Sequence, residues 1–191
     1  MLLVEQVSGR TLDVNTQLTL EDYLTLPADA RCEVVEGILR PMSRATTNGR
    51  RVQRRLTNAL EAQCPPDLQV EFEEIVVFHD VPPDARIPDV TVFRRSGKDE
   101  GTNNVAARHV LLAVEVVSPG SGEEDRHVKP GEYARNGIPH FWRVELQPAL
   151  AVHTYVLTDG GYVNAGVFGP GERITSVVLG WVDIATDDLM R

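Results

Sequence analysis

Two short runs carry an acid where a buried strand should hold only aliphatic residues. They are Arg86-Ile87-Pro88-Asp89-Val90-Thr91-Val92 and Leu111-Leu112-Ala113-Val114-Glu115-Val116-Val117-Ser118. Short apolar, β-branched runs of this kind predict strands covered on both faces. An unpaired carboxylate buried in one costs several kcal/mol, so it protonates, pairs or binds a metal. Two such acids on neighbouring strands can share one hard cation. Any fold for this chain must supply Asp89 and Glu115 with partners.

A chain of 191 residues suits one domain that buries roughly 70% of its unfolded surface. Residues 1–17 are irregular and read as a flexible N-terminal arm, and 18–191 as a single domain. No apolar run approaches the ~20 residues of a membrane helix. The apolar start Met1-Leu2-Leu3-Val4 is too short for a signal-peptide core and has no basic residue before it. Cys32 and Cys64 form no close-spaced pair and no disulfide framework, so the expectation is a cytoplasmic protein with reduced thiols and no membrane partner. A net charge of −9 argues against coating nucleic acid by bulk electrostatics. It leaves room for an enzyme with a local basic face.

Thr19 caps a short helix that Pro27 stops. Cys32 to Glu36 and Ile38 to Met42, broken at Gly37, predict a hairpin or one bent strand. Val52, Leu56, Ala59, Leu60 and Gln63 make one stripe of a helix over 46–63, ended by Pro65-Pro66. Leu68 to Phe78 reads as one strand, and Pro82-Pro83 turns the chain. Pro88 to Phe93 and His109 to Val117 are the acid-bearing strands, joined by a polar loop at 94–108. Pro130 to Asn136 predicts a helix closed by Gly137. Strands follow at His140–Glu145, Ala151–Leu157, Tyr162–Phe168 and Arg173–Val178, with Asp159-Gly160-Gly161 as a hairpin turn. The expected class is α/β: a mixed, curved β-sheet with few helices, all on one side.

Asp89 and Glu115 suit magnesium, which takes one or two carboxylates plus waters and substrate phosphate. A backbone carbonyl such as that of Val116 often completes such a set. The competing reading makes each acid a solvent-facing edge residue. Glu36 closes Val34-Val35-Glu36 before a glycine, and is either a third acid of the site or a hairpin-turn acid in solvent. Lys129 lies fourteen residues after Glu115 and is either a site cation or an exposed helix-start lysine. Pro130 disfavours the α region at Lys129, which places Asp125 in the loop and argues against a helical Asp125–Lys129 pair. Arg44, Arg50, Arg51, Arg54 and Arg55 fall within twelve residues. The pairs 50/54 and 51/55 are one helical turn apart, making either a phosphate-binding face or a solvated one. The five histidines show no metal-ligand spacing, and no GxSxG, P-loop or GxGxxG is present.

At these residues the chain resembles the Uma-type family of restriction endonucleases within the PD-(D/E)XK nuclease superfamily. The matching pieces are Glu33-Val34-Val35-Glu36-Gly37-Ile38-Leu39, Arg86-Ile87-Pro88-Asp89-Val90, Val114 to Pro119, Asp125 with Lys129, and Tyr133 to Trp142. Together they span roughly residues 19–181. The resemblance implies a restriction-endonuclease-like core in which Asp89 and Glu115 bind Mg²⁺, with Mn²⁺ as a substitute. The superfamily lysine usually sits two residues after the second acid, where this chain has Val117. In the Uma-type branch it has moved to the next segment, which matches Lys129. Glu36 matches the family's N-terminal Glu-Gly acid. A histidine often found at the start of the long helix is replaced here, with Gly49 near that place.

The implied activity is magnesium-dependent hydrolysis of DNA phosphodiester bonds. Asp89, Glu115, Lys129 and Glu36 would be its catalytic set, and Arg50, Arg51, Arg54 and Arg55 its contact with DNA. Double-stranded DNA and a homodimer fit, because double-strand cutters pair and the C-terminal strands offer edges. The rival is a catalytically degenerate protein of the same fold that binds nucleic acid or protein, which the acidic net charge favours. A cupin-like barrel would need a histidine-rich strand pair that the chain lacks.

Overall fold

Period-two alternation sorts the side chains of the central strands onto two faces, and a different helix covers each face. The computed structural model describes residues 5–7, 10–12, 17–27, 30–99 and 101–191. Most of the expected arm over 1–17 therefore lies outside the described residues. Within it, β1 (Glu5–Val7) and β2 (Arg10–Leu12) pair antiparallel. Then come α1 (Leu20–Leu24), the hairpin of β3 (Cys32–Val35) and β4 (Ile38–Pro41), and the long helix α2 (Thr47–Glu61). Strands β5 (Leu68–Phe72), β6 (Ile75–Asp80), β7 (Pro83–Arg86), β8 (Val90–Arg94), β9 (Asn104–Ala106) and β10 (Val110–Val116) follow. Helix α3 (Lys129–Arg135) precedes β11 (His140–Glu145), β12 (Ala151–Thr158) and β13 (Gly161–Phe168). The set is completed by the pair β14 (Arg173–Thr175) and β15 (Asp183–Ala185), and by α4 (Thr186–Met190).

The architecture is the expected mixed α/β one. A six-stranded sheet runs in the order β13-β12-β11-β10-β8-β5, and a five-stranded sheet in the order β4-β3-β7-β6-β9. In the larger sheet β10 and β11 are parallel, and the other neighbours are antiparallel.

Thr46 caps α2, its hydroxyl accepting from Gly49 N at 3.0 Å. The stripe Val52, Leu56 and Leu60 packs on Val90, Val92, Leu112 and Val114. Each such aliphatic side chain stabilises by about 1.5–3 kcal/mol when buried. The opposite face carries Phe93, Ala113 and Phe141, and there Tyr133 of α3 and Ile138 cover them. The helices thus flank the sheet on both sides, not on one as expected. The reason lies in β10, which is buried at every position but Leu111 and needs cover on both faces. The parallel β10–β11 connection also requires a crossover, and α3 supplies it.

The expected single strand Leu68–Phe78 is two strands, β5 and β6, in different sheets. Glu73 breaks it by taking a left-handed φ of 51°. The chain passes between sheets again at Ile87–Asp89, from β7 to β8. The two crossings run side by side, with Glu73 N donating to Asp89 O at 3.3 Å. The expected polar loop at 94–108 contains β9, which pairs parallel with β6. Strand β14 ends at Thr175, short of the expected Val178.

Candidate functional site

Strands β8 and β10 pair Val90 with Val114 and Thr91 with Ala113. Extending that register by one residue sets Asp89 opposite Glu115. Val90, Val92 and Val114 face α2, so alternation turns both acids to the face that α3 covers. Asp89 Oδ2 accepts from Val116 N at 2.6 Å. Glu115, 2% exposed, accepts at Oε1 from Lys129 Nζ at 3.1 Å and from the Tyr133 hydroxyl. Lys129 and Tyr133 are four residues apart, so one face of α3 presents both donors.

Lys129 also lies 3.3 Å from Glu33 Oε1 and 3.4 Å from Asp125 Oδ1. Asp125 belongs to a π-helical turn, Glu124–Val128, that leads into α3. The Asp125–Lys129 pair therefore forms, contrary to the expectation drawn from Pro130. Lys129 adopts helical angles, φ −57° and ψ −39°, and three carboxylates around its ammonium offset the pre-proline crowding. Asp125 Oδ2 accepts from the Ser121 hydroxyl, which lies 2.8 Å from that of Ser118.

Behind this layer stands a second buried cation. Arg86 donates from Nη1 to Glu33 Oε2 at 2.7 Å, and from Nε and Nη2 to the two Glu132 oxygens at 2.8 Å each. Glu33 Oε1 also accepts from Ile87 N at 3.0 Å. A buried arginine at the end of β7 fixes Glu33 of β3 and Glu132 of α3 together.

Five carboxyl groups (Glu33, Asp89, Glu115, Asp125 and Glu132) and two cations share this space. At full ionisation the cluster is three negative charges from neutrality. Burial pushes Asp89 up to about 7, against the Val116 hydrogen bond and Lys129. Burial also raises Glu115 well above the carboxylate range, again against Lys129, with Asp125, Asp89 and Glu33 adding to the rise. Asp125 is raised for the same first reason. For Glu33 burial acts upward too, but Lys129 and Arg86 outweigh it and hold the group below its ordinary value. Burial alone would lower Lys129; Glu115, Glu33 and Asp125 outweigh it and raise it.

Asp89, Glu115, Lys129 and the backbone of Val116 are thus brought together. Glu36 does not join them. It is exposed at the β3–β4 turn with φ 51°, and the acid of β3 that reaches Lys129 is Glu33. Arg50, Arg51 and Arg54 are exposed on α2, and Arg55 is half-buried. Arg50 Nη1 donates to Ala45 O at 2.9 Å. Gly49 is buried near the start of α2, a Cβ there meeting Thr46 Oγ1 at 3.3 Å. Sequence reasoning assigned no role to Glu33, Arg86, Tyr133 or Glu132. A signal existed for Arg86, since a cation beside an apolar strand needs acid partners as much as Asp89 needs a cation.

Asp89, Glu115, Lys129, Glu33 and Asp125 line one cleft of about 40 Å³, room for a cation or a few waters. Among the described residues, Asp89 Oδ1 and Glu115 Oε2 make no hydrogen bond. No group of three or more His, Cys, Asp or Glu among the described residues is arranged to hold a metal alone. The donor set nevertheless fits a hard divalent ion that keeps most of its waters: two carboxylates with free oxygens, in a cluster short of positive charge.

The sequence profile of the Uma2 family, described as "Putative restriction endonuclease", matches residues 20–187. The chain belongs to the Uma2 family. Among solved structures, this family member is similar to a "putative nuclease belonging to DUF820" from Anabaena variabilis. The TM-score is 0.71 at 17% identity, covering 91% of this chain and 97% of that one. At that identity the likeness establishes a nuclease-like fold. No curated protein matches. Among the described residues of this Uma2 chain, no helix is long and apolar enough to cross a membrane.

Proposed function

We propose that this protein is a magnesium-dependent endonuclease that hydrolyses phosphodiester bonds of DNA. Mn²⁺ would serve as a substitute. The observation that carries the reading is the facing pair Asp89 and Glu115, each with an oxygen free of hydrogen bonds in one cleft. Asp89, Glu115 and the Val116 carbonyl would hold the cation. When bound, it would polarise the phosphate and acidify a water. Lys129 supplies positive charge at the cleft floor. Tyr133 holds one oxygen of Glu115 so that the other faces the cleft. Glu33, in place of Glu36, is the third acid of the site, and it aligns Lys129. Arg50, Arg51 and Arg54, exposed along one helix, would grip backbone phosphates of double-stranded DNA, and Arg55 would contribute from its half-buried position. A homodimer, working in the cytoplasm, would present two such clefts to the two strands.

One observation favours a second reading, a catalytically idle binding module. Glu115 already has a cation and a hydroxyl on one oxygen, so the cleft is partly compensated without metal. Two measurements separate the readings. Mg²⁺ or Mn²⁺ should raise the melting temperature of the wild type and not of Asp89→Ala. Supercoiled plasmid should be nicked by the wild type and not by Glu115→Ala. Absence of both responses would leave the binding module.

A further inference from the structure

Phe72, the last residue of β5, is 62% exposed. Its position explains why. Leu68 and Val70 precede it in the same row and are buried under the aliphatic part of α2. On the groove side of Phe72 the helix presents Arg50, Gln53 and Arg54 instead, while Tyr23, Leu24, Leu26 and Ile75 share a second hollow with it. Phe72, Arg31, Arg50, Gln53, Arg54 and Glu73 line a groove of about 340 Å³.

This groove is joined to the acid cleft. Gln53 Nε2 and Glu73 N both donate to the carbonyl of Asp89, at 2.9 Å and 3.3 Å. Arg31 lines both the groove and the cleft. Its guanidinium is held by Glu73 at 3.1 Å and 3.3 Å, in a half-exposed pair that another anion can displace at small cost. Three arginines and one acid line the groove beside an exposed aromatic ring, in a chain of net charge −9. That local charge is complementary to a phosphate backbone, and an aromatic face beside it suits a base.

We propose that the groove between α2 and the end of β5 is a nucleobase subsite. It receives one unpaired base beside the scissile phosphate: Phe72 stacks on it, and Arg31, Arg50 and Arg54 hold the flanking phosphates. The substrate class is then a nucleic acid with an unpaired nucleotide at the cleavage point, such as a bulge or flap. A fully paired duplex keeps its bases stacked inside and leaves Phe72 without a partner. The inference rests on the nuclease reading for its biological sense, but its binding test does not require catalysis.

The test measures binding without divalent metal, by fluorescence anisotropy. Two labelled DNA duplexes are compared, one fully paired and one with a single extrahelical 2-aminopurine. The wild type should prefer the bulged duplex, and stacking on Phe72 should change the 2-aminopurine emission. Phe72→Ala should weaken bulge binding by about 5- to 150-fold and leave paired binding unchanged. Phe72→Trp should restore the preference. Arg54→Ala should weaken both duplexes alike and lower the salt dependence by about one phosphate contact. Equal binding of the two duplexes by the wild type, no binding of either, or a preference that survives Phe72→Ala would overturn the subsite. Cleavage assays with Mg²⁺ on the same duplexes keep the two ideas apart. Cutting with no bulge preference in binding rejects the subsite alone, and bulge preference with no cutting rejects the nuclease alone.

Discussion

Lys129 Nζ lies 3.1 Å from Oε1 of Glu115, joining the helix on one face of the sheet to its central strand. Both groups are buried, at 5% and 2% exposure. The lysine also serves Glu33 and Asp125, so it is the local counter-ion for three carboxylates.

Lys129→Met should therefore be among the most damaging single changes. Removing one partner of a buried pair costs about 3–5 kcal/mol, which for a chain this size lowers the melting temperature by roughly 6–20 °C. Lys129→Arg keeps the charge and should lose less. Urea unfolding of the two variants checks this; equal losses would mean that volume, not charge, matters there.

Glu33 and Glu36 should behave oppositely. Glu33→Gln takes one charge from a carboxylate shared by Arg86 and Lys129 and should cost several kcal/mol. Glu36 is exposed, and Glu36→Gln should stay within about 0.5 kcal/mol. Denaturant midpoints decide between them. A large loss at Glu36 alone would return the third acid to the turn.

Asp89 should make metal-free stability depend on pH. Its folded value is pushed up to about 7, against about 3.9 in the unfolded chain. Between those values the folded state holds the extra proton. The Asp89 contribution to stability thus falls as pH rises through this window, and levels off above about 7. The stability of wild type relative to Asp89→Asn should drop from pH 5 to pH 8, as read by chemical denaturation at each pH. Because a cation competes with that proton, the Mg²⁺-induced rise in melting temperature should be larger at pH 8 than at pH 6. A difference that does not move with pH would contradict the assignment.

Leu56→Ala tests the opposite face of the sheet. Leu56 is fully buried under α2, and the change should cost about 2–5 kcal/mol. It is remote from α3, so the rise in melting temperature on adding Mg²⁺ should match that of the wild type.

Much of this was legible from residue order. The strands around Asp89 and Glu115, helix α2 with its stripe, the β3–β4 and β12–β13 hairpins and the turn at Gly137 follow from local pattern and turn chemistry. So does the need of both acids for partners, because burying charge is costly wherever the strand lies. What the chain could not announce was which long-range partners meet them. Glu33 and Glu36 flank the same two valines, and alternation says only that neighbours face opposite ways. Packing against Arg86 and α3 decided that Glu33 is inside. The split at Glu73, the helical state of Lys129 before a proline, and the placement of α3 across the sheet from α2 were likewise tertiary outcomes. The first two accept a local cost that contacts from distant segments help to offset, and such contacts leave no trace in a window of neighbouring residues.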